Sequence, residues 1–237
     1  MTSLIETLDL TKQYTELLVL DRVNIGADPR KITSIVGVNG AGKTTLLKIL
    51  AGLIAATSGK VSVHGRECDQ DQLRSCCTMV FQRSVMFGGS VHDNVAFGVR
   101  INKTPNREIT GRVLAALAVV NLDGFEKRKA RRLSSGEQQR VAIARALALD
   151  REVLLFDEPT ANLDPANSMI IERVIKESAQ KKAVLLSTHN LAQSRRLSDR
   201  VIHLYKGRVV EEGEAASFFA NPKDERTKLF INGELQF

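Results

Sequence analysis

The chain has 237 residues, 43% of them apolar, enough for one sizeable domain with an attached subdomain. No stretch approaches the ~18 consecutive apolar residues that span a bilayer. The net charge of +7 raises a nucleic-acid or membrane-surface role, yet the cations are spread along the chain, with one local cluster at Lys127, Arg128, Lys129, Arg131 and Arg132, and no nucleic-acid partner is expected.

The opening Met1-Thr2-Ser3-Leu4-Ile5-Glu6 lacks the basic and apolar regions of a secretory signal, so a soluble, cytoplasmic polypeptide is expected. Ile32–Val36 is an apolar run ending in a Gly-rich turn, and Lys43–Leu53 then has helical spacing at Leu46, Leu47, Ile49, Leu50 and Leu53. Cys68, Cys76 and Cys77 lack metal-ligand spacing and read as ordinary thiols. From about Arg83 to Asp150 the strand-rich pattern gives way to helical segments such as Arg112–Val120 and Glu137–Leu149. Val153–Phe156 resumes the alternation. A helix follows from Pro165 to about Lys181, with Asp164 as N-cap and Pro165 at the first helical position. Ala183–Ser187 and Val201–Tyr205 are further strands. Short Val- and Ile-rich runs alternating with helices predict a largely parallel α/β sheet, here split by a helical insertion.

Gly37-Val38-Asn39-Gly40-Ala41-Gly42-Lys43-Thr44-Thr45 matches G-x-x-x-x-G-K-[ST] between a predicted strand and helix. Glycines let successive N–H groups face one anion, and the helix N-terminus adds partial positive charge. Lys43 can reach the β- and γ-phosphates, and the Thr44 hydroxyl can ligate Mg²⁺. Asp157 and Glu158, at the exit of an apolar strand, could be a solvated turn. Beside a P-loop, Asp157 is placed to hold Mg²⁺ and Glu158 to polarise an attacking water. A P-loop alone suits a kinase, a GTPase or a helicase equally.

Leu133-Ser134-Ser135-Gly136-Glu137-Gln138-Gln139-Arg140 narrows the choice, because it resembles the Leu-Ser-Gly-Gly-Gln signature of ABC ATPases. The resemblance covers nearly the whole chain. It implies an α/β fold: a P-loop NTPase core of ABC ATPase type with an N-terminal antiparallel β portion and a helical subdomain inserted after the glutamine loop. Residues 1–237 then form one domain, with core about 1–82 and 151–237 and helical subdomain about 83–150. The resemblance also implies Mg²⁺ with ATP, hydrolysed in an ATP-dependent head-to-tail dimer. There the signature residues Ser134, Ser135, Gly136 and Glu137 of one copy close over the γ-phosphate held by the other. Tyr14 matches the aromatic stacked on adenine, Gln82 the loop glutamine that senses Mg²⁺, Asp164 the loop crossing the dimer interface, and His189 the histidine contacting the γ-phosphate. His64, His92 and His203 have no such context and read as structural or exposed.

This sequence departs from the family pattern in three places. Ser135 replaces a glycine, adding a Cβ where backbone approaches phosphate, and Glu137 replaces glutamine. Ser134-x-x-Glu137 is also a capping box for the following helix. Pro29-Arg30-Lys31 stands where a turn glycine often precedes the P-loop strand.

One P-loop, without a membrane span or long coiled coil, implies a free-standing subunit docking onto integral-membrane permease subunits. It would lie peripherally on the cytoplasmic face and meet a solute-binding protein only indirectly. The segment from Gln82 to Val95, with Phe87 and Val91 as apolar contacts and Gly88-Gly89 for movement, resembles the docking region. Ser187–Arg200, Phe218-Phe219-x-x-Pro222, Arg226-Thr227 and Gly233-Glu234 look like oxyanion importers, tungstate first and phosphate or molybdate next. The competing reading is a mechanotransmission or regulatory ABC ATPase that moves no solute.

Overall fold

The computed structural model describes residues 3–234, and the chain divides into two compact units. The first comprises the chain up to Met79, residues 152–158, and the chain from Ser178 onward. Its larger sheet contains β4 (Ile32–Val36), β7 (Cys77–Val80), β8 (Val153–Asp157), β9 (Ala183–Thr188), β10 (Arg200–Tyr205) and β11 (Arg208–Glu214), in the order β11-β10-β4-β9-β8-β7. The pairs β10–β4, β4–β9 and β9–β8 are parallel, and every residue of β4, β8 and β9 is buried. Burial on both faces is why these strands read as largely apolar runs, interrupted by the small hydroxyls of Thr33 and Ser34 in β4 and ending in Ser187 and Thr188 in β9. In this register Asp157 pairs with Ser187, and Val36 with Thr188, so three strands deliver their last residues to one carboxyl edge.

Helix α1 (Lys43–Leu50) buries Leu46, Leu47, Ile49 and Leu50 in the core cluster that includes Ile35, Leu155, Leu185 and Ile202. It ends earlier than the expected Leu53. Gly52 adopts φ 68° and turns the chain where a Cβ would collide with the Gln70 carbonyl, leaving Leu53 exposed. The expected N-terminal antiparallel portion comprises β1 (Ile5–Tyr14), β2 (Leu17–Val23), β3 (Gly26–Ala27), β5 (Ser58–Val63) and β6 (Arg66–Glu67), ordered β2-β1-β5-β6 with β3 on β1. Helix α2 (Gln70–Cys76), with its Asp69–Gln72 capping box, leads into β7. Arg30 takes a left-handed φ of 58° in the turn before β4, doing what glycine would do at that position. Helices α7 (Leu191–Leu197), α8 (Ala215–Ala220) and α9 (Glu225–Asn232) complete this unit, with Phe218 and Phe219 packed on Val36 and Val201.

The second unit comprises Val80–Arg151 and Pro159–Glu177. Helices α3 (Val91–Ile101), α4 (Asn106–Val119) and α5 (Ser135–Ala148) pack on one another through Val95, Val99, Val113, Leu117, Val141 and Ile143, all at most 1% exposed. Helix α4 starts at Asn106, ahead of the expected Arg112. From α5, the Arg145 guanidinium donates to the carbonyls of Asn94 and Val85 and to Asn94 Oδ1, fixing the segment before and within α3. Residues 159–177, expected with the core, cluster with this helical unit instead. The reason is visible in α6 (Pro165–Ala179), whose Arg173 donates to the Val119 carbonyl and Asn121 Oδ1.

Candidate active site

Between β4 and α1 the chain folds into a loop whose glycines take conformations that side chains resist: φ is 153° at Gly37, 80° at Gly40 and 105° at Gly42. A Cβ on Gly37 would strike the Leu204 carbonyl oxygen, and one on Gly42 would lie 2.9 Å from the Val19 carbonyl. Gly40 and Asn39 form the exposed tip, and the Ala41 carbonyl is held by the Gly207 N–H at 3.1 Å. Thr45 and Val38 are half-buried in this turn. Lys43 is 6% exposed, and its ammonium donates to the carbonyls of Gly37 (2.7 Å) and Val38 (3.0 Å). Burial pushes the Lys43 ammonium below the usual lysine value, while Glu158 and Asp157 pull the other way. A buried cation beside the N-terminus of α1, with backbone freed of Cβ atoms, is a cradle for a polyphosphate.

Across from the loop, Asp157 ends β8, 5% exposed. It accepts hydrogen bonds from the Thr44 hydroxyl (2.8 Å) and the Ser187 hydroxyl (2.5 Å). A hydroxyl and a carboxylate meeting at the phosphate cradle are the hard oxygen donors Mg²⁺ takes, one or two from protein with phosphate completing the shell. The residues present therefore fit that ion. Glu158 follows at φ 45°, a strained value for a non-glycine residue, with its N–H bonded to the Ser187 carbonyl. The turn aims its carboxylate at a lysine and a histidine, 4.0 Å from Lys43 Nζ and 2.9 Å from His189 Nδ1. His189 is itself placed by its neighbours. The Asn190 N–H bonds the Thr188 hydroxyl, which donates to Gln193, and the Asn190 side chain caps α7.

Of the other expected site residues in the first unit, Tyr14 lies at the end of β1, 45% exposed, with Lys12 Nζ 4.7 Å from its ring centroid. His203 is buried, bonded through Nδ1 to the Thr227 hydroxyl and stacked on Phe230. His64 is exposed and pairs with Glu152 at 2.8 Å.

In the second unit, Gln82 follows β7 and is exposed. Ser134 caps α5, and the capping box is complete: Ser134 Oγ accepts from the Glu137 N–H, and the Glu137 carboxylate accepts from the Ser134 N–H at 2.8 Å. These bonds hold the Glu137 carboxyl below the usual range. Ser135 is exposed at the first helical position, and Gly136 is buried against Asn167. Asp164 accepts from both the Asn167 N–H (2.9 Å) and its side-chain amide (2.6 Å), bonds that lower its pKa.

A family model described as ABC transporter matches residues 20–161. The chain belongs to the ABC transporter family. Within it, this chain is an ATP-binding, ATP-hydrolysing subunit. It is 39% identical over 242 residues to a phosphate import ATP-binding protein of Pyrobaculum aerophilum, covering 96% of this chain and 97% of that one. It is 39% identical over 213 residues to a tungstate uptake system ATP-binding protein of Peptoclostridium acidaminophilum, covering 89% and 97%. A spermidine/putrescine import ATP-binding protein of Clostridioides difficile is 36% identical over 233 residues, 97% of this chain and 67% of that one. Among solved structures, cbiO1 of Clostridium perfringens, part of an ABC transporter complex, superposes with a TM-score of 0.84 at 29% identity, covering 97% and 95%.

Against this ABC ATPase frame, the structure brings Lys43, Thr44, Asp157, Glu158 and His189 into one constellation. Sequence reasoning missed Ser187, whose signal was a buried hydroxyl directly after the apolar run Ala183–Leu186. It also missed Asn167, which nothing local to its position announces. Val91, expected as a docking contact, is fully buried as the first residue of α3 and presents no apolar surface.

Proposed function

We propose that this ABC ATPase energises an importer, binding Mg·ATP on the Gly37–Thr45 loop and hydrolysing it within a head-to-tail dimer of two copies. The carrying observation is the Glu158 carboxylate, held between Lys43 and His189 at the edge of the phosphate cradle. Lys43, the loop N–H groups and His189 bind the phosphates, and Tyr14 stacks on the base. Thr44 and Asp157 would hold Mg²⁺, which when bound offsets phosphate charge. Glu158 accepts a proton from water as it attacks the γ-phosphate. In the signature Ser134, Ser135, Gly136 and Glu137, the capping box engages the Ser134 and Glu137 N–H groups, and those of Ser135 and Gly136 donate to the nucleotide of the opposite copy, with Asp164 in the interface loop.

The proposed solute is an oxyanion, tungstate first and phosphate or molybdate next. In support, two relatives at 39% identity are named for tungstate and phosphate. The permease docks on the second unit. With Val91 buried, its apolar contacts are Val85, Phe87 and Phe97, which are 67%, 38% and 43% exposed. The Phe87 and Phe97 rings lie 4.5 Å apart, with the Arg145 guanidinium 4.8 Å from Phe87. Phe87→Asp would remove the ring and place a carboxylate in that apolar interface. The expected result is lost co-purification with the permease subunits and lost solute-stimulated turnover, with basal ATP hydrolysis retained. Normal coupling in this variant would overturn the docking assignment.

A further inference from the structure

We propose that Asn167 is a positioning residue that locks the signature helix to the interface loop of the same copy, and that Gly136 is a glycine because of it. A Cβ on Gly136 would collide with Asn167 Cγ and Nδ2 and lie 2.8 Å from Oδ1. Such a collision is cheap when the neighbouring side chain can swing away. Here it cannot swing freely. Asp164 holds the Asn167 backbone N–H and side-chain amide with its two carboxylate oxygens, 2.9 and 2.6 Å away. Asn167 also stands in the first turn of α6, whose Arg173 is bonded to Val119 and Asn121. On the other side, Gly136 stands in the first turn of α5, held by the reciprocal bonds of Ser134 and Glu137. Two helix N-termini, each fixed by its own cap, therefore meet at one side-chain amide. All of these residues belong to the second unit, so the contact is internal to it.

The inference rests on the reading that the signature of one copy closes over the nucleotide of another. Under that reading, both parts of this copy that face its partner, Ser134–Glu137 and Asp164, move as one body. Closure of one is closure of the other. Loss of the Asn167 amide should then slow turnover without touching the phosphate cradle, which lies in the first unit.

The test is a double-mutant cycle in ATP turnover, with nucleotide affinity measured separately. Asn167→Ala is expected to lower kcat roughly three- to tenfold with KM for ATP unchanged. Gly136→Ala, which must evict the amide from Asp164, is expected to lower kcat roughly a hundredfold. The double variant Gly136→Ala/Asn167→Ala is expected to recover to the level of Asn167→Ala alone. A double variant as slow as Gly136→Ala would overturn the lock, since the glycine would then serve something other than Asn167. Near wild-type turnover in Gly136→Ala would overturn it too, because the amide would be giving way freely. Should Gly136→Ala prove insoluble, recovery of soluble, ATP-binding protein on adding Asn167→Ala supports the lock, and no recovery contradicts it. Failure of the dimer reading shows separately: Glu158→Gln would then stay single-chain in Mg·ATP whatever residue 167 is.

Discussion

Glu158 occupies the one position in the cradle where a carboxylate leaves the strand through a left-handed turn and meets both a lysine and a histidine. Glu158→Gln keeps the shape and removes the base. It should bind ATP normally in equilibrium titration yet lose roughly 10²-fold or more in turnover. Lys43→Ala should instead weaken nucleotide binding itself, which separates the two roles in a single pair of titrations. Ser135 is exposed at the start of α5, so Ser135→Gly, which restores the family's usual residue, should change turnover by no more than a few-fold, roughly 1 kcal/mol of barrier. A loss of two orders of magnitude would show that the Ser135 side chain makes an essential contact. These residues were legible in the sequence because their chemistry is local: a loop, a strand end, a cap. Ser187 and Asn167 were not. Ser187 matters only because β9 lies beside β8 in a register that pairs it with Asp157, and Asn167 only because α6 delivers it to Gly136.

Among the elements, the parallel strands were read nearly to their ends, because burial on both faces leaves a mainly apolar signature. Helix boundaries were less legible where the stop is tertiary, as in α1, whose end at Leu50 depends on Gly52 turning beneath α2. Helix α4 begins with the polar run Asn106-Arg107-Glu108, which carries no apolar period to announce it. The start of α5 was readable because Ser134 and Glu137 satisfy each other's backbone N–H groups. Ser134→Ala breaks that exchange and should lower stability by about 1 kcal/mol in chemical denaturation. An unchanged midpoint would mean that packing alone sets the start of this helix.

At the scale of the whole molecule, one buried group ties stability to pH. His203 is fully buried, and desolvation holds its imidazole down at about 4. Its folded pKa lies below the unfolded value, so between about 6.5 and 4 the unfolded chain takes up a proton that the folded chain refuses. Stability from this group is complete above that window and falls by about 2 kcal/mol on acidification to pH 5. His203→Leu should flatten that slope in melts taken between pH 7 and 5, and an unchanged slope would place the proton uptake elsewhere. ATP hydrolysis, under the proposed function, needs two molecules. The Gly37–Thr45 loop and the Glu158 carboxylate lie in the first unit, while α5 belongs to the second, and under the proposed function the signature of another copy completes each site. Light scattering on Glu158→Gln after gel filtration tests this most directly. The expected mass is that of one chain without nucleotide or with Mg·ADP, and of two chains with Mg·ATP. A mass that does not respond to ATP, in a variant that still binds it, would contradict the account.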